Sequence, residues 1–78
     1  MVPIKLNGNR VYGYPVADGG GARVRVSADE WERLGLTLGQ QVRVEIPGRT
    51  ADLLLAAADE APPFVWLRLR PLASRVAG

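Results

Sequence analysis

In three runs of this chain, apolar side chains fall at every second position. Ala22, Val24 and Val26 do so in residues 22–27, Val42, Val44 and Ile46 in residues 41–46, and Val65, Leu67 and Leu69 in residues 64–70. A period of two is the mark of a strand with one buried and one wetted face, because successive side chains point to opposite sides of a sheet. The alternate positions carry Arg23 and Arg25, then Arg43 and Glu45, then Trp66, Arg68 and Arg70. Two earlier runs, VPIKL at 2–6 and VYGYPVA at 11–17, are β-branched and aromatic, and the Asn7-Gly8 between them is a strong hairpin signal. A loop of Asn7 and Gly8 alone would set Lys5 against Arg10, two like charges; a loop of Asn7, Gly8 and Asn9 avoids this, and both registers are open. Pro3 and Pro15 suit edge or bulge positions, and Gly13 suggests a bend. Residues 51–58, ADLLLAAA, favour helix by composition, but the run is short and sits between turns among strands, so it reads as a strand. ADGGGA at 17–22 reads as a flexible connection, and DEAPP at 59–63 as a turn.

One segment has helical punctuation. In SADEWERLGL, Ser27 is placed to cap a helix and Glu30 to reach back to it, while Asp29 and Glu30 lie in the first turn, where the helix dipole favours acids. Gly35 offers a left-handed stop. The helix is predicted at about residues 28–34, with Trp31 and Leu34 facing the sheet. Six short strands, one short helix and turn signals roughly every 8 to 12 residues predict a mainly β fold. The expected form is a small closed or partly open barrel, since closure removes exposed strand edges.

The chain has 78 residues, enough for one domain over 1–78, because so short a chain buries only roughly 60% of its unfolded surface and cannot divide that between two cores. Residues 73–78 are expected to fray, and the sequence shows no internal repeat and no linker. Without cysteine there is neither a disulfide framework nor a thiolate site. No apolar stretch approaches the length of a membrane span, so a soluble, cytoplasmic protein is expected. The formal charge is +2, and nine of the ten basic residues are arginine, a mild basic lean.

Histidine is absent as well, which removes the usual general base and, with cysteine, the commonest transition-metal ligands. Ser27 is accounted for as a cap and Ser74 lies in the tail; the carboxylates Asp29, Glu30, Glu32, Asp59 and Glu60 fall on a helix or in a turn, where charges are normally solvated. GGGA lacks the frame of a phosphate-binding loop. The chain therefore reads as non-enzymatic, with no catalytic residue, cofactor or metal. Two groups of residues stand out. Arg23 and Arg25 share one face of a strand, and Arg68 and Arg70 share one face of another beside Trp66, an arrangement that could neutralise phosphates and stack a base. The bland alternative is a solvated exterior paired to Glu45, Asp52 and other acids. The aromatics Trp31, Trp66, Phe64, Tyr12 and Tyr14 are many for a core this small, and surplus aromatics commonly anchor protein interfaces.

DGGGARVRVSADEWERLGLTLGQQVRVEI, residues 18–46, resembles the AbrB/MazE superfamily of swapped-hairpin barrels, and also related uncharacterised families of single-chain barrels. The matching positions run from Arg23 through Leu34, Gly35 and Leu36. In the DNA-binding members such a resemblance implies a homodimeric barrel that lays arginines along DNA as a regulator or antitoxin. The departures fall in the region that would meet DNA. Ser27 stands where the pattern has proline, Trp31 and Glu32 where basic residues are usual, and Gln40 where the turn aspartate would be. Arg23 remains the one matching candidate contact, with Arg25 beside it. Six strands in one chain could also close a barrel without a partner. The resulting expectation is a binding module for a protein partner, self-association as a homodimer included, with nucleic-acid binding through Arg23, Arg25, Arg68 and Arg70 as the alternative.

Overall fold

The computed structural model describes residues 1–72; the expectation of a frayed tail at 73–78 lies outside them. Six strands and one helix follow in the order β1 (Val2–Leu6), β2 (Asn9–Asp18), β3 (Gly21–Ser27), α1 (Ala28–Leu34), β4 (Gln41–Ile46), β5 (Arg49–Ala61) and β6 (Phe64–Pro71). The strands close into one antiparallel barrel, ordered β1-β2-β3-β6-β5-β4 around the ring. All six come from one chain, so the ring needs no exchanged hairpin to close. No helix among the described residues is long and apolar enough to cross a membrane.

The interior is wholly aliphatic. Its buried members are Ile4, Leu6, Val11, Val24, Val26, Val42, Val44, Leu53, Leu55, Val65, Leu67 and Leu69, which are the inward positions of the alternating runs. Each such side chain is worth roughly 1.5–3 kcal/mol of burial. An exposed ion pair contributes about 0–1 kcal/mol, so packing and not surface charge holds the ring together. Trp31, Leu34 and Leu36 pack against this core from α1 and the residue beyond it. Glycines let the backbones close up: a Cβ on Gly13 would stand 3.0 Å from Ile4 Cδ1 and 3.1 Å from the Arg25 carbonyl, and one on Gly21 would overlap the Leu69 carbonyl oxygen.

The hairpin loops are tighter than the sequence suggests. Lys5 does lie opposite Arg10, with Asn7 (φ 53°) and Gly8 (φ 83°) forming a two-residue turn. The like-charge pairing is relieved from the other side, where Lys5 is also opposite Glu45 of β4. Asn7 extends that seam: its amide donates to the Arg43 carbonyl (2.9 Å), and its side-chain Oδ1 accepts from the Arg43 amide (2.8 Å). ADGGGA is a turn of Gly19 and Gly20 alone, because β2 runs on to Asp18 and β3 starts at Gly21. Residues 51–58 are strand as expected, but β5 continues through Asp59, Glu60 and Ala61, which pair with Trp66, Val65 and Phe64. The turn there is Pro62-Pro63, and a register shift between Leu55 and Ala57 accommodates the length of β5.

The helix has the expected ends. The Glu30 amide donates to Ser27 Oγ at 3.1 Å, and Gly35 closes the helix at φ 63°. The Glu30 carboxylate, however, forms an ion pair with Arg33 instead of returning to the cap. Gln40 takes over the work of a turn aspartate: its Oε1 accepts from the Thr37 amide at 2.7 Å.

Although the sequence shows no repeat, the element plan is drawn twice. β1-β2-β3 and β4-β5-β6 are two meanders joined by α1, with Gly8 and Gly48 at the same place in their first turns. Between the halves, β1 pairs with β4 and β3 with β6. Lys5 opposite Glu45 and Val24 opposite Leu67 are the pairs at which equivalent residues of the two halves meet.

Candidate functional site

The β3–β6 ladder unites residues that lie far apart in sequence. It sets Arg23 opposite Arg68, Arg25 opposite Trp66 and Ser27 opposite Phe64, while the β2–β3 ladder sets Tyr14 opposite Arg25. With Val24, Val26, Val65, Leu67 and Leu69 turned into the core, the alternating positions between them all project outward. Arg23, Arg25, Arg68, Arg70, Tyr14, Phe64 and Trp66 therefore share one exterior face of β2, β3 and β6, and Tyr12, two residues along β2 from Tyr14 but opposite Pro3 of β1, lies at its edge. Trp31 does not join them. It lies on α1, half-buried against the core.

The face is laid out as cations against rings. The Arg25 guanidinium lies 4.2 Å from the Phe64 ring centre and 5.5 Å from that of Tyr14, and Arg23 lies 5.6 Å from that of Trp66. Tyr14 and Trp66 meet edge to face at 6.4 Å. Such contacts are worth about 0.5–1 kcal/mol at exposed sites and fix the long arginine side chains in place. Arg25 is half-buried, and its Nε is shielded from solvent with no hydrogen-bond partner.

Two acids unforeseen in the sequence reading share the face. Asp18 reaches Arg23 at 3.7 Å and Asp59 reaches Arg68 at 3.4 Å. Asp59 belongs to β5 and not to a turn, which is why its partner was hidden. The acids expected to neutralise these arginines are engaged elsewhere. Asp52 holds Arg43 at 2.9 Å and Glu45 stands opposite Lys5. The hydrogen bond from the Arg43 guanidinium holds the Asp52 carboxyl below its ordinary range, and the same contact raises Arg43.

No protein-family model, curated protein or solved structure matches this chain.

Beside the Gly19-Gly20 turn, Arg23, Arg68 and Arg70 border an open depression of about 530 Å³ together with Asp18. Guanidinium N–H groups suit carboxylate or phosphate oxygens, and of the three arginines Arg70 is the one with no acid within ion-pair distance among the described residues. Farther along the face, the exposed rings are those of Tyr12 and Tyr14, 56% and 49% accessible, whereas Phe64 and Trp66 are half-covered. The acids Asp29, Glu30 and Glu32 belong to α1, and Glu32 borders a depression with Phe64 at the edge of this face, beside Trp31 and Glu60.

Proposed function

We propose that this chain is a non-enzymatic protein-association module whose binding surface is the outer face of β2, β3 and β6. One observation carries the reading: the core among the described residues contains no aromatic side chain, while Tyr14, Phe64 and Trp66 gather outside it on one face with four arginines and Tyr12 stands at its edge. Tyrosine, tryptophan and arginine are the residues that most often dominate binding energy at protein interfaces, and lysine is scarce there.

The second reading is a nucleic-acid-binding regulator of AbrB/MazE type. It is supported by the four arginines and by the resemblance of residues 18–46 to that superfamily. It is weakened by the rings: guanidinium groups already occupy Trp66 and Phe64, where bases would have to stack.

Capture of partners from native cell extract, with and without nuclease, separates the two readings when the wild type is compared with a Tyr12→Ala/Tyr14→Ala variant. The expected result is a protein partner retained after nuclease and lost from the variant. Capture abolished by nuclease, or unchanged in the variant, overturns the reading.

A further inference from the structure

On the reading that this face binds protein, its charge distribution also specifies what it binds. Arg23 and Arg68 are directly opposite in the β3–β6 register, an arrangement of like charges that costs stability unless compensated. Arg70 follows on the same side of β6, across the buried Leu69. Each of the first two is served by one exposed acid, at 3.7 Å for Asp18 and 3.4 Å for Asp59, while Arg70 has no carboxylate within ion-pair distance among the described residues. Arg25 adds a fourth cation whose shielded Nε–H is unsatisfied. Four guanidinium groups therefore stand against two carboxylates over one face of the barrel.

A two-fold pairing of this face with itself would bring two such surpluses together, which is electrostatically unfavourable. A nucleic acid would find the faces of Trp66 and Phe64 already occupied. We infer that the occupant is an acidic segment of a different protein, with a carboxylate of that segment seated against Arg70 in the depression that it lines with Arg23, Arg68, Asp18 and the Gly19-Gly20 turn, where three guanidinium groups outnumber one carboxylate. The planar fork of an arginine can bind a carboxylate through two parallel N–H···O bonds; Arg70 lines the depression with no acid within ion-pair distance among the described residues, and Arg23 and Arg68, though each paired to one acid, line it as well. The tyrosines beside this anchor supply apolar contact area with few rotatable bonds to order.

The test uses hexaglutamate and an oligothymidylate of equal charge as probes, titrated into the full chain while the arginine Nε–H resonances are followed by NMR. Hexaglutamate is expected to shift the signals of Arg68 and Arg70 and to bind more tightly than the oligothymidylate. Its affinity should fall about tenfold or more in an Arg68→Gln/Arg70→Gln variant whose spectrum remains folded. It should also weaken several-fold between about 20 mM and about 200 mM salt. Tighter binding of the oligothymidylate at the same arginines overturns the inference, as does the absence of any shift from hexaglutamate at low salt. Extract capture by the Arg68→Gln/Arg70→Gln variant distinguishes the two levels of the argument. If capture survives these changes but not Tyr12→Ala/Tyr14→Ala, the acidic anchor is wrong and the protein-binding face stands.

Discussion

Asp52 on β5 lies opposite Arg43 on β4, and this pair forms the shortest inter-strand side-chain ion pair among the described residues, at 2.9 Å. Both groups are exposed to water, so the attraction is screened and modest. Its pH dependence is nevertheless definite in sign. Because the folded chain holds the Asp52 carboxyl below its ordinary range, the pair stabilises the fold at pH values above that ordinary value, about 4, and the contribution disappears as pH falls through the lowered one. Asp52→Asn is therefore expected to lower the urea midpoint slightly at neutral pH and to converge with the wild type in acid. A gap between the two that stays constant from neutral to strongly acid pH would show that the carboxylate charge is irrelevant. Arg25 illustrates the opposite balance at the same scale: it has two rings beside it and no acid within ion-pair distance among the described residues, so the cost at its shielded Nε is one of desolvation.

Helix α1 is only seven residues long, too short to persist without its caps and its packing. Ser27→Ala removes the acceptor for the Glu30 amide and should cost about 1 kcal/mol, lowering Tm by roughly 4–8 °C in a domain of this size. An unchanged Tm would mean that Trp31 and Leu34 alone hold the helix down. The helix was legible because caps and stops are local chemistry, and the strands at 22–27, 41–46 and 64–70 were legible because alternation is. The ends of β2 and β5 were not. Ala17 and Asp18 before the glycines, and the acids at 59–60, look like loop, yet β3 and β6 supply ladder partners that override weak strand preference. The site was half legible for the same reason. Each strand revealed its outward residues, but only the pairing of β3 with β6, which no local signal encodes, places Arg23 beside Arg68 and Trp66 beside Arg25.

At the scale of the molecule, the barrel is two meanders facing each other across the β1–β4 and β3–β6 seams. Where equivalent positions of the two halves meet, one seam has Lys5 against Glu45 and the other Val24 against Leu67. A half pairing with its own copy would set lysine against lysine or glutamate against glutamate, so the halves are complementary to each other and not to themselves. Dividing the chain after Leu36, in the connection between α1 and β4, should yield two fragments that assemble one to one when mixed. Size-exclusion chromatography checks this, and two fragments that each form a defined homodimer would refute it. The aliphatic interior has an optical consequence. With Trp31 packed on the barrel from α1 and Trp66 on its outer wall, the indole emission of this protein does not come from the core. A change in that emission can report a helix lifting or a visitor arriving outside while the ring itself stays shut.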